Sequence, residues 1–104
     1  MANKKYTVLV REKCLDVFDK HVDFLAKVSI EAAEGLVDGF WKTVNGLTAF
    51  PERNVAVYLD SKPGERFHRA LLGKHHAVLY AIEGSEVYVE AVIDLRQNVG
   101  MSLF

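Results

Sequence analysis

Apolar residues follow a helical period through the first half of the chain and a strand period through the second. Residues 6–10, YTVLV, are a short β-branched and aromatic run, which predicts an edge-forming first strand. From Cys14 to about Ser29 the period changes. Leu15, Phe18, Val22 and Leu25, with Val17, Phe24 and Val28 beside them, follow the i, i+3, i+4, i+7 spacing of an amphipathic helix, and Asp16, Asp19, Lys20, Asp23 and Lys27 form its wet side. A second helical stretch runs from about Ile30 to Ala49, its stripe marked by Ala33, Leu36, Val37, Phe40, Val44 and Leu47, widened by Trp41, with Ser29 placed as the N-cap. Two helices with so short a connection fold back as an antiparallel hairpin. Gly35, Gly39 and Gly46 weaken the second helix, so it depends on packing, and close contact between helices would account for them.

Pro51 ends the helical pattern, because its ring disfavours helical geometry at Phe50 and removes a donor. Beyond it, NVAVYLD (54–60) reads as a strand, SKPGE (61–65) as a turn, and FHRALL as a further strand or a helical turn. The sharpest local unit is the last: AVLYAI and VYVEAVI flank EGSE, and Gly84-Ser85 suits a two-residue hairpin loop with glycine first. That loop predicts a register in which Ile82 faces Val87, Tyr80 faces Val89, Val78 faces Ala91 and His76 faces Ile93. Alternation puts these on one apolar face, expected to receive the helices. The other face then carries Ala77, Leu79, Ala81, Tyr88, Glu90, Val92, His75, Asp94 and Arg96, with Asp94 opposite His75.

Composition narrows the picture. A chain of 104 residues, half of them apolar, suits one domain spanning 1–104. The 13 basic and 14 acidic residues leave a net charge of -1, which argues against affinity drawn chiefly from many nucleic-acid phosphates. A local basic segment does exist: Lys62, Arg66, Arg69 and Lys74, with His68, His75 and His76, against Glu65 alone. A single cysteine, Cys14, excludes an internal disulfide and reads as a packed thiol in a reducing compartment. No run approaches about 18 apolar residues, and the apolar run after the first lysines is too short for a signal-peptide core. The expectation is a soluble, cytoplasmic protein.

No glycine-rich phosphate loop, nucleophile elbow or metal-ligand spacing occurs. His75 and His76 are adjacent on a strand and point to opposite faces, so no metal site is expected. The register instead singles out His75 with Asp94: a cross-strand carboxylate holds an imidazole in one tautomer and raises its pKa, as a general acid or base requires. A surface ion pair is the alternative. Arg69 and Arg96 would stabilise an anionic transition state if they converged there.

The order of elements, together with LTAFPE and HAVLYAIEGSEVYVEAVIDLRQN, resembles the RelE/ParE superfamily of toxins from bacterial type II toxin–antitoxin systems. The resemblance covers nearly the whole chain: YTVLV as first strand, LTAFPE as the helix-ending Leu-x-x-Phe-Pro segment, and the terminal meander. It implies an α+β fold, with an N-terminal strand, an α-helical hairpin and a C-terminal antiparallel meander forming a curled sheet with the helices on one face. It also implies a cognate antitoxin laying a helix across apolar toxin surface, with operator DNA reached only through that antitoxin. Leu79, Val92 and the terminal MSLF are the contact candidates. No cofactor is implied. One branch of the family inhibits DNA gyrase; another cuts mRNA on the ribosome. Here Asp94, Leu95, Arg96 and Gln97 stand where many ribonuclease relatives carry histidine and a basic pair, and His76-Ala77 stands where Tyr-Arg is common. These departures favour the gyrase-directed branch, with Tyr88, Glu90, Asp94 and Arg96 as the binding surface. The mRNA endoribonuclease is the alternative, with Arg69, His75 and Arg96 as its catalytic set, and a non-toxic relative is a third reading.

Overall fold

The structure, a computed structural model, describes residues 5–60 and 62–96. Its elements are β1 (Thr7–Val10), α1 (Glu12–Ala26), α2 (Ile30–Gly46), a 3-10 turn (Pro51–Arg53), β2 (Ala56–Leu59), β3 (Lys62–Leu72), β4 (His76–Glu83) and β5 (Glu86–Asp94). The strands form one open sheet in the order β1-β5-β4-β3-β2. β1 runs parallel to β5, and the other pairings are antiparallel. The protein is therefore α+β, with a mixed sheet and a helical hairpin. Among the described residues no helix is long and apolar enough to cross a membrane.

Local chemistry explains the boundaries. The Ser29 hydroxyl accepts from the Ala32 amide at 3.1 Å, filling one of the orphan donors at the start of α2. α2 stops at Gly46, a few residues before the apolar pattern fades. Phe50 takes a left-handed conformation with φ 49°, an uncommon one for a residue with a side chain, and the chain reverses there into the 3-10 turn. Arg53 then folds back, and its Nη1 donates to the Ala49 carbonyl at 2.7 Å and the Phe50 carbonyl at 3.4 Å. The turn expected at SKPGE is instead the beginning of β3 from Lys62, with Gly64 at φ 84° inside the strand. FHRALL lies within that strand.

Helices and sheet enclose Phe18, Phe40, Val44, Leu47, Leu72, Val78, Tyr80, Val87 and Val89. Phe18 and Phe40 stack with ring centroids 4.4 Å apart, each burial contributing about 1.5–3 kcal/mol. Cys14 is buried here too, and loss of water, with Glu90 nearby, pushes its thiol up to about 11. It is packing, not a nucleophile. Gly39 lies against β3, where an added Cβ would stand 2.9 Å from Leu72 Cδ1. Close approach thus explains this glycine, but to a strand and not to a helix; Gly35 has open space around it.

The hairpin loop forms at Gly84-Ser85, and Gly84 takes φ 61° as the first position requires. The register next to it matches expectation: Ile82 pairs with Val87 and Tyr80 with Val89. Beyond, it slips. Leu79 pairs with Ala91, Val78 with Val92 and His76 with Asp94, because Glu90 is an extra residue between Val89 and Ala91. Such a bulge moves every later side chain of β5 to the other face relative to a regular ladder. Ala91 and Ile93 accordingly join a second cluster with Leu59, Phe67, Ala77 and Leu79, away from the helices, while Val92 packs toward them. Asp94 therefore faces His76, not His75, and lies on the helical side of the sheet.

Candidate functional site

Two basic clefts flank α2, and the fold builds each from residues far apart in sequence. The first lies at the open end of the β4–β5 ladder. His76 begins β4, and its Nε2 is 3.2 Å from Nε2 of His21 on α1, the rings meeting edge-on. A hydrogen bond between two imidazole nitrogens needs one donor and one acceptor, so at least one ring is neutral. Burial holds His76 below the ordinary histidine range; Asp94 opposes that shift, while His21, Arg96 and His75 add to it. Beside it, Arg96 grips Asp94 through Nε–Oδ1 at 3.1 Å and Nη2–Oδ2 at 2.9 Å, and the Arg96 amide donates to Oδ1 at 2.9 Å. This grip holds the Asp94 carboxyl far below the usual carboxylate range. A cleft of about 340 Å³ opens here between the hairpin and the β3–β4 turn, lined by Lys74, His75, His76 and Arg96.

The second cleft lies at the other end of α2, with a volume of about 470 Å³. Lys42, Thr43 and Leu47 line it from α2, Arg53 and Val55 from the strap before β2, and Arg69 and Leu71 from β3. Tyr80 anchors the strap: fully buried, it donates its hydroxyl to the Pro51 carbonyl at 2.5 Å and accepts from Asn54 Nδ2 at 2.9 Å. His68 stacks on the Tyr80 ring and donates from Nδ1 to the Asn54 carbonyl at 2.8 Å. Since His68 is internal, the basic segment at 62–76 is not one surface patch.

Of the residues expected to act together, His75 and Arg96 share the first cleft and Arg69 does not. His75 is exposed in the β3–β4 turn and does not pair with Asp94. Arg69 pairs across to Leu79, three positions along β4 from His76, which is about 10 Å at strand spacing. It also alternates with the helix-facing Ala70, placing it on the opposite side of the sheet from His76. The expected binding surface divides in the same way. Tyr88 and Glu90 gather around Arg11, whose Nε is 3.2 Å from Glu90 and whose guanidinium lies 4.3 Å from the Tyr88 ring centre. Asp94 and Arg96 form the separate pair already described. Leu79, expected at an exposed groove, is fully buried, and Val92 is half-buried against the helices. Gln97 and the terminal MSLF lie outside the described residues.

Sequence reasoning missed His21, Lys42 and Arg53. A signal for His21 was present, since it stands at helical spacing from Val17 and Phe18 and so borders the packed stripe. For Lys42 and Arg53 there was none, because an exposed cation in a helix or loop is the commonest of patterns. Among the described residues, no group of three or more histidine, cysteine or acidic side chains could hold a metal ion. No known protein-family model matches the chain, and no curated protein matches it.

Proposed function

We propose that this chain is the toxin of a bacterial type II toxin–antitoxin pair, of RelE/ParE type, and that it inhibits DNA gyrase by binding rather than by hydrolysis. The order strand, helical hairpin and antiparallel strands supports the family reading. The observation that carries the binding mode is the separation of Arg69 from His75 and Arg96, with Arg96 already paired to Asp94. RNA cleavage needs a base for the 2′-hydroxyl, charge stabilisation at phosphate and an acid for the leaving oxygen within reach of one another. Here Arg96 is paired with Asp94 beside His75, and Arg69 is on the other side of the sheet from both. The antitoxin finds its apolar seat in the groove between α1 and α2, lined by Val22, Ala26, Ile30 and Val37, beside the exposed Phe24 and Val28. This replaces Leu79 as the contact surface.

One observation favours the ribonuclease as a second reading: His76, hydrogen-bonded to His21, lines one cleft with Lys74 and Arg96. The test is to add purified protein to reconstituted gyrase supercoiling and to ribosome-bound mRNA. Loss of supercoiling with intact mRNA is expected. Position-specific mRNA cuts that disappear in His76→Ala would refute the gyrase proposal and support the second reading.

A further inference from the structure

We propose that the groove between α1 and α2 takes a cationic amphipathic helix, one whose apolar stripe is flanked on both sides by lysine or arginine. The inference rests on the reading of this groove as the antitoxin seat and adds the chemistry of the segment that fills it. The floor is apolar: Val22 and Ala26 come from α1, and Ile30, Ala33 and Val37 from α2, around a volume of about 490 Å³. Ile30 is 67% exposed, and Trp41, one turn beyond Val37 on the same face of α2, is 44% exposed. Both rims are acidic. Glu34 and Asp38 line the groove from α2. On α1, Asp19 and Asp23 stand three residues before Val22 and Ala26, which puts them on the same face, one turn away. At about 100° per residue Lys20 and Lys27 fall on the far side of α1 from Val22.

The fold itself makes no use of these four charges. All four carboxylates are exposed, and none pairs with a cation among the described residues. Asp19 with Asp23, and Glu34 with Asp38, are like charges four residues apart, which is unfavourable to each helix. Asp23 also lies in the last turn of α1, the end at which the macrodipole disfavours a carboxylate. An apolar stripe laid on the floor removes it from water, and lysine or arginine beside that stripe meets a carboxylate on either rim. The same rims repel an acidic helix, and a second copy docked through this face would bring its own four carboxylates against them. The partner is a helix rather than an added strand, because the backbone groups along the groove are engaged within α1 and α2 and offer no sheet edge.

The test titrates the full chain against three fluorescently labelled peptides of about five helical turns, read by anisotropy. One is an amphipathic helix with leucine at the i, i+3, i+4 and i+7 positions flanked by lysine, the second has glutamate in place of lysine, and the third is the lysine peptide in scrambled order. Saturable binding of the ordered lysine peptide is expected, weakened by salt, with no binding of the other two. Asp19→Asn, Asp23→Asn, Glu34→Gln and Asp38→Asn together should weaken it about tenfold, as loss of several exposed ion pairs does, while Glu65→Gln on β3 leaves it unchanged. Ile30→Ser should weaken it severalfold through the floor. Every substituted side chain is exposed, so the fold is retained. Equal binding of the lysine and glutamate helices, lost in Ile30→Ser, overturns the charge selection and leaves the groove as a helix seat; absence of binding by either helix overturns the seat as well. The proposal is also overturned by lysine-peptide binding that survives the fourfold replacement, by equal binding of the scrambled peptide, or by a concentration-dependent dimer that Ile30→Ser dissociates, which would give the groove to a second copy.

Discussion

Removing one oxygen atom from Tyr80 tests how the strap that carries Arg53 is held. In Tyr80→Phe the ring remains, still stacked on His68 with centroids 5.4 Å apart, so no sizeable cavity opens. What disappears is the hydroxyl that donates to the Pro51 carbonyl at 2.5 Å and accepts from Asn54 Nδ2 at 2.9 Å. Each such bond contributes a net 1 kcal/mol or so, and a carbonyl left unpaired at the buried Pro51 adds its desolvation cost, which together come to about 2–3 kcal/mol. Burial raises the Tyr80 pKa, so the phenol is a neutral donor across the accessible pH range. Urea unfolding should therefore show a lower midpoint with unchanged slope, and the melting temperature should drop by roughly 10 °C. Tyr88→Phe is the control: its hydroxyl donates to Glu86 two residues away on the same strand, and its loss should leave the midpoint where it was. Equal midpoints for the two variants would show that the strap is not held by Tyr80, and the account of Arg53 placement would fail with it.

Two further outcomes follow from the packing and the charges. Gly35→Ala, with open space around it, should stabilise the protein by about 0.5–1 kcal/mol through helix propensity, whereas Gly39→Ala should destabilise by about 1 kcal/mol as its methyl presses on Leu72; equal shifts in urea midpoint would contradict the α2–β3 contact. Because His76 is held below its ordinary pKa, the unfolded chain binds the proton more readily, so stability is full above about pH 6.5 and falls as pH drops from there through the lowered value. His76→Gln should flatten urea midpoints over that window, and a native pH profile already flat there would refute the assignment. The Asp94 contribution, from a carboxyl held low by Arg96, is lost separately and only in stronger acid.

Much of the architecture is written in local chemistry. The helical periods around Phe18 and Phe40, the Ser29 cap, the stop before Pro51 and the Gly84-Ser85 loop each depend on neighbours within a few residues, and each appears in the structure close to where the sequence puts it. The bulge at Glu90 has no such signature. No glycine marks it, and it sits where the first strand docks, with the Arg11 amide donating to the Val89 carbonyl at 3.0 Å and the Arg11 side chain reaching Glu90. A single unpaired residue there exchanges His76 for His75 opposite Asp94 and turns Asp94 toward the helices, because strand side chains alternate and a slip of one reverses every face beyond it. The cleft at the C-terminal end of α2 is further still from local reach: its walls come from a helix, a strap and a strand, and only the docking of α2 on β3 brings Lys42 and Arg53 to one concavity. The sequence by itself determined which segments form helices and strands, since propensity and periodicity act along the chain. Only the tertiary structure decided which side chains share a site, since that depends on register and packing between segments far apart in sequence.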